Sequence, residues 1–405
     1  NQVGYAWSTP FVPTNNNGLS FIANLTNPFP SGLQQTPGSS LGLLTNVGLA
    51  AGTSDSPIFP VDRKNAKFAR VVAGVQRELP GQLIVEATFV AAWGYDLPVS
   101  KELNFVPRQY LGSDPTSDAA ANAFLSQSVP NPFRGLVPGS PLNTATTIPR
   151  WQLLLPYPQF TDLWIQQYNG SNRYKALQLQ AAKRFSRDLS FNVTYTRSRL
   201  REKVSYLNPS DTQLEDRISP DDRPNRFTLA VVYLLPIGRG RRFGSEMNRA
   251  LDLVIGGWQL NGTYEWQSGE PFLLTQPLYY ADLNRLRQIK SRVGEDDGQG
   301  HKYGVDIPAF DTSGFVRLSS FGLRNVPSTL DNLRNQPFLN VNLSLSKNFN
   351  FSENKRLQIR VEALNAFNYV YFSAVNLDPN NASFGLTTGQ RNLPRDVQLG
   401  AKFIF

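Results

Sequence analysis

His301 lies in the run GEDDGQGHKYG, residues 294 to 304, which sets Glu295, Asp296 and Asp297 beside an imidazole, with Asp306 just beyond. Metal ligation or a hydrolytic triad is the chemistry such a set could do. The chain of 405 residues has this one histidine and no cysteine, so a transition-metal site would rest on carboxylates alone. The spacing also misses the EF-hand template, which makes a surface loop the better reading of the run. Asp221 and Asp222 are a carboxylate pair of the kind that hydrolyses glycosidic bonds. Because they adjoin Arg223 and Pro224, a solvated, salt-bridged turn is expected instead. Gly238, Gly240 and Gly244 miss the dinucleotide fingerprint, since Phe243 stands where its third glycine belongs. These groups imply no catalytic, cofactor-binding or metal residues, and the chain is not expected to be an enzyme.

The elements around them carry a clearer pattern. In the last eleven residues Val397, Leu399, Ala401, Phe403 and Phe405 alternate with Gln398, Gly400 and Lys402. Successive strand side chains point to opposite faces, so this is a strand with one apolar and one polar side. Leu357, Ile359, Val361 and Ala363 alternate likewise with Gln358, Arg360 and Glu362, and Leu339, Val341, Leu343 and Leu345 with Asn340, Asn342, Ser344 and Ser346. The same period runs through Trp258, Leu260, Tyr264 and Trp266 against Gln259, Asn261, Thr263 and Glu265. It recurs at 81–94 and 189–200, and more weakly at 66–78, 174–185 and 226–236.

Alternation alone also fits a soluble sandwich, so the connections must decide. Short links at Leu79-Pro80, 186–188 and 349–355 alternate with long polar stretches near 95–173, 201–225, 269–337 and 367–394, and another long one occupies 9–65. Short inner turns and long outer loops on alternate ends are the mark of an antiparallel up-and-down transmembrane β-barrel. Counting back from Phe405 puts every short link at one end, together with 237–255, which is long enough for a short helix. Parity makes Phe160 to Tyr168 part of an outer hairpin extending the wall. An upward strand in NQVGYAWS brings the count to about ten.

No run approaches the roughly 18 apolar residues of a membrane helix, and hydrophobic content is only 40%, as a barrel with alternate residues facing lipid allows. The net charge of +9 is scattered over turns and loops, so anionic lipid and lipopolysaccharide are the expected partners, not nucleic acid. Trp7, Trp93, Trp164, Tyr168 and Trp266 are expected in the interfacial aromatic girdle. The polar alternates Gln259, Glu265, Asn340, Asn342, Gln358, Arg360, Glu362, Gln398 and Lys402 are expected to face the lumen. Phe403 and Phe405, on the terminal strand, form a candidate signal for the barrel-assembly machinery.

Several stretches, VQRELPGQLIVEATFVAAWG (75–94), YKALQLQAAKRFSRDLSFNVTYTRS (174–198) and SPDDRPNRFTLAVVYLLPIGRGRRFG (219–244), resemble the C-terminal barrel of Oar-like TonB-dependent receptors. So do LTNPFPSG (25–32), LPYPQF (155–160), GGWQLNGTYEWQSGEPF (256–272) and RLQIRVEALNAFN (356–368). The resemblance covers nearly the whole chain in order. It implies an outer-membrane location and a place in the later part of a barrel of twenty-two strands, although ten strands could also close as a small barrel. It further implies a plug and TonB box elsewhere, and import of a ligand docked on the outer loops. Two other functions fit the residues: docking of envelope or secreted partners by the long loops, or a plugless passive pore.

Overall fold

The computed structural model describes residues 9–36, 38, 58, 60–112, 118–137, 140–160, 162–186, 188–318, 320–352 and 355–405. Residues 1–8, with Trp7 and the first of the expected strands, lie outside them. Nine long strands follow in chain order: β1 (Lys67–Leu79), β2 (Leu83–Glu102), β3 (Trp164–Ser186), β4 (Leu189–Lys203), β5 (Asn225–Leu234), β6 (Trp258–Gln267), β7 (Phe338–Ser352), β8 (Lys355–Leu364) and β9 (Asp396–Ile404). Each pairs antiparallel with its sequence neighbours, and the short strand Arg217–Ile218 adds to β4. Among the described residues the sheet is not closed: β1 and β9 each have one partner.

The up-and-down order follows from the turns. Gln82 (φ 60°) and Asp188 (φ 69°) adopt the left-handed conformation that tight hairpins need. Contacts between links confirm which connections share an end. Arg241, in the link after β5, pairs at 2.6 Å with Asp188 in the β3–β4 turn. Lys347 on β7 donates to the Gly256 carbonyl at 2.5 Å, and Lys183 on β3 to that of Gly81 at 2.6 Å. The link of 237–255 does hold a helix, Arg249–Ile255, N-capped by Asn248. At the opposite end the long loops meet: Arg108 pairs with Asp211, and Arg223 and Arg391 both pair with Glu270.

Three sequence expectations need correction. β2 and β3 continue as a paired extension from Leu97–Gly170 to Glu102–Trp164, so the stretch that ends at Tyr168 does extend the wall as part of an outer hairpin, but the strands outrun their expected ends at 94 and 174, and the 349–355 link shrinks as β7 reaches Ser352 opposite Lys355. The outer stretches are also not bare loops. Within 269–337, Pro271–Leu273 pairs with Thr329–Arg334 and Leu278–Tyr280 with Phe315–Arg317. Phe272, Leu278, Tyr280, Leu286, Ala309 and Val326 are buried there in a core of their own, capped from the last loop by Phe372, Val375 and Phe384. A second core gathers Val137, Leu142, Ile148, Phe160 and Leu163. Burial of side chains this apolar contributes roughly 1.5–3 kcal/mol each, enough to hold a folded layer over the sheet.

The third correction concerns the aromatics. Trp93 and Trp266 stand at the outer end of the apolar belt, but Trp164 pairs opposite Glu102, nine residues beyond Trp93. Trp164 therefore rises roughly 20–30 Å above the belt and Tyr168, five residues beyond the Arg173 that faces Trp93, roughly 13–17 Å, so neither belongs to an interfacial girdle.

Candidate functional site

Register decides which side chains share a face. Residues opposite one another in antiparallel strands lie on the same side of the sheet. Glu265 stands opposite Asn340, Thr263 opposite Asn342 and Gln259 opposite Ser346. Ser346 in turn faces Arg360, Ser344 faces Glu362, and Asn348 faces Gln358. Gln358 and Glu362 then face Lys402 and Gln398 on β9. All nine sequence-derived lumen candidates therefore lie on one face. Leucine, valine, tyrosine and tryptophan fill the other across β4 to β9, from Val193, Leu229 and Tyr264 to Val341, Leu345, Val361 and Leu399.

Much of the polar face is wired within itself. Arg226 pairs with Glu265 at 2.7 Å, Arg360 with Glu362 at 3.3 Å, and the Gln259 amide donates to Asn261 at 2.6 Å. Asn342 donates to Thr263 at 3.3 Å and accepts from the Asn365 amide at 3.0 Å. The amide of Gln358 donates to Asn348 at 3.2 Å and that of Gln398 to Asp396 at 2.8 Å. With cations and carboxylates interspersed, this wall can hydrogen-bond a polar solute or another protein segment without a strong bias of charge.

Above the wall, the Asp221-Asp222 pair divides. Asp221 is exposed, whereas Asp222 is 2% exposed, accepts from the Leu200 amide at 2.6 Å and pairs with Arg334 at 2.8 Å. The expected solvated turn is thus half wrong: the strand Thr329–Arg334 lies over it and takes Asp222 out of water. Arg217, between Glu202 at 2.9 Å and Glu215 at 3.7 Å, and Glu215, accepting from the Ser328 amide at 2.6 Å, join the same mouth to the loop layer.

The loop layer holds a cavity of about 540 Å³ that sequence reasoning missed. Glu102, Phe105, Trp151, Asp162, Ser210 and Phe321 line it, drawn from three separate loops. Burial, and then the charge of Asp162, push the Glu102 carboxyl up to about 7; burial also raises Asp162. Aromatic faces beside two carboxyl groups can hold an uncharged or cationic polar ligand. Nothing in the local sequence flags these residues, because only the long β2–β3 extension brings 102 beside 162, and loop packing brings in 210 and 321.

The expected surface loop at His301 is exposed, and its carboxylates turn onto their own backbone. Asp297 accepts from the amides of Gln299 and His301 and from the imidazole, Asp306 accepts from the Lys302 amide, and Glu295 pairs with Arg292. Those bonds hold Asp297 below the usual carboxylate range, chiefly the Gln299 amide. Among the described residues no group of three His, Asp or Glu side chains could hold a metal ion. Gly238, Gly240 and Gly244 all have positive φ, as a tight turn requires. At the C-terminus the Phe403 ring stacks at 6.0 Å on Phe405 and lies 6.5 Å from Phe351, with Phe405 90% exposed.

One apolar and one polar face, short turns at one end and folded loops at the other define a membrane-spanning β-barrel wall. The chain belongs to the outer membrane beta barrel domain family, whose model matches residues 1–398, and the outer membrane is its location. Solved structures similar to it include the outer membrane transporter YddB from Escherichia coli (12% identity, TM-score 0.39, 85% of this chain and 33% of that one). Others are the ferric-catecholate import receptor Fiu of E. coli (11%, 0.38, 85% and 29%) and the copper transporter OprC (11%, 0.34, 86% and 34%). The chain spans about a third of the length of these proteins. No curated protein matches the sequence.

Proposed function

We propose that this chain forms part of the wall and outer mouth of an energised importer of the TonB-dependent, Oar-like type. A ligand docks in the loop layer and passes along the polar face when TonB, acting on a plug outside this chain, opens the path. The observation that carries the reading is the continuity of the polar face of β6 to β9 with a folded, cavity-bearing layer above it. The wall supplies hydrogen bonds and no chemical step is assigned to it, so transport and not catalysis is its role. The strands of this chain complete a larger barrel, and Phe403 and Phe405 present the terminal strand to the assembly machinery.

The test is uptake of medium solutes by cells with and without the full-length protein, each with and without a protonophore. An importer makes uptake of some solute depend on both the protein and the proton gradient. Uptake that needs the protein and survives the protonophore would instead establish a passive pore. A second reading, docking of envelope or secreted partners, draws on the apolar cores inside the loops, because loops folded to this degree present fixed surfaces. Uptake that is the same in all four cultures, with a protein partner co-purifying through the loops, would favour it.

A further inference from the structure

The outer face of the sheet changes character abruptly at the top of β3 and β4. Leu179, Leu177, Val193 and Tyr195 lie on the lipid side, and directly above them the same face carries Lys175 and Arg173 on β3 and Arg197, Arg199, Arg201 and Lys203 on β4. Lys175 stands opposite Arg199, and Arg173 opposite Arg201, so like charges are set side by side. Such pairs repel and destabilise a sheet unless an anion lies between them. The internal counter-charge is small. Asp331 pairs with Arg199 at 2.7 Å, and Asp216 with Arg201 at 2.8 Å and Lys203 at 3.9 Å. Arg197 is bonded only to the neutral Asn225 amide, and Lys175 and Arg173 make no ion pair among the described residues. A cleft of about 410 Å³ opens here, with Phe89 and Leu177 at its base and Lys175, Arg197, Arg199 and Arg334 on its sides; Asp222 and Asp331 also line it, each paired with one of those arginines.

Height identifies the occupant. Arg197 is eight residues beyond Leu189, the first residue after the inner turn, which places it roughly 20 Å across the membrane for a strand tilted by about 40°. The cations therefore begin where the hydrocarbon ends on the outer side. Trp93, opposite Arg173 and so in the row of Arg201, lies four residues further out than Arg197 and marks the upper part of the column. In the row of Tyr195, just below Arg197, β5, β6 and β7 carry Phe227, Trp266 and Leu339, and opposite Arg197 itself β5 carries Asn225, so neither row continues the column across β5.

We propose that this column is a binding site for a phosphorylated glycolipid of the outer leaflet, with its phosphates between the β3 and β4 cations and its acyl chains along Phe89, Leu177 and Leu179. Those three side chains are 45%, 44% and 41% exposed, and they lie under the cleft in line with the apolar belt. Guanidinium and ammonium groups meet phosphate oxygens by charge-assisted hydrogen bonds. A soluble anion would use the cations and leave the apolar base bare. The site depends on the outer-membrane location and is independent of what the protein imports.

The test uses the full-length protein in zwitterionic phosphatidylcholine nanodiscs doped with bisphosphorylated lipid A, with bound lipid counted by native mass spectrometry. The triple variant Lys175→Gln, Arg197→Gln, Arg199→Gln should retain less than about a tenth of the wild-type lipid A, since each lost charge-assisted contact is worth about a factor of ten. The lumen-side variant Arg226→Gln should retain all of it, and unchanged heat-modifiable mobility establishes that the variants fold. Lipid A stripped of its phosphates, or phosphatidylglycerol in its place, should be retained no better than by the triple variant, and inorganic phosphate should not displace bound lipid A. Equal retention by the triple variant, or of either comparison lipid, would overturn the site. Displacement by inorganic phosphate would make it a site for a free anion and overturn it as well.

Discussion

Placing a single arginine at mid-depth on each face of the wall gives the sharpest test of which face meets lipid. Leu339, Val341, Leu343, Leu345 and Lys347 share the outer face of β7, with Trp266 opposite Leu339 and Trp258 opposite Lys347. The eight-residue step between those levels is roughly 27 Å along the strand, or about 21 Å across the bilayer at a tilt of about 40°. Leu343 is at its centre, about 10 Å from either interface, which is too deep for an arginine to reach water at no cost. It also covers the notch at Gly262, where an added Cβ would lie 3.3 Å from the Leu343 Cδ2. Leu343→Arg should therefore cost about 2–4 kcal/mol of folding stability. Thr263, one row away on the other face, is exposed and has only a 3.3 Å bond from Asn342 to lose. Thr263→Arg should cost less than about 1 kcal/mol. Urea titration of the full chain in lipid vesicles, scored by heat-modifiable mobility, reads the difference as at least about a tenfold gap in the folding constant. Costs that agree within error would refute the assignment of faces and return the sheet to a soluble, two-sided one.

Three further outcomes follow from particular contacts. Asp222→Ala takes the buried carboxylate from the half-buried Arg334 guanidinium, which keeps Asp331 at 3.2 Å, and leaves the Leu200 amide without its acceptor; it should destabilise the outer part of β4 by about 1–3 kcal/mol, read as lost hydrogen-exchange protection at Leu200 with the belt amides unchanged. Glu102, well above the belt, has its carboxyl pushed up to about 7, so the folded loop layer binds its proton more tightly than the unfolded chain does. The layer should lose stability as pH rises from the usual glutamate range through about 7, seen as faster proteolysis of the outer loops, and Glu102→Gln should flatten that dependence; an unchanged slope would remove Glu102 as its source. Deleting Phe405 takes away the exposed ring stacked on Phe403 and should slow membrane insertion of the full-length protein, measured as the heat-modifiable fraction in a pulse-chase; wild-type kinetics would refute an assembly role.

The wall was legible in the sequence because its signal is local. An alternation of period two assigns each side chain to a face before any partner is known, so Gln358, Arg360 and Glu362 could be grouped with Asn340, Asn342 and Gln398 from residue order alone. The parity of long and short links likewise needs only counting, and Arg241 beside Asp188 bears it out. The loop layer was not legible. Its contacts join residues such as Glu215 and Ser328, or Asn208 and Arg324, across more than a hundred positions with no periodic pattern between them. Asp222 looked solvated because its neighbours in sequence are polar, and its burial depends on the strand that carries Arg334, 112 residues later. The basic column is an intermediate case. Each arginine of TRSRLREK is plain in the sequence, but only the register of β4 against β3 sets Arg199 beside Lys175 and Arg201 beside Arg173. Register is fixed jointly by the turn and by which faces are buried, so it belongs to the folded sheet and not to either strand alone.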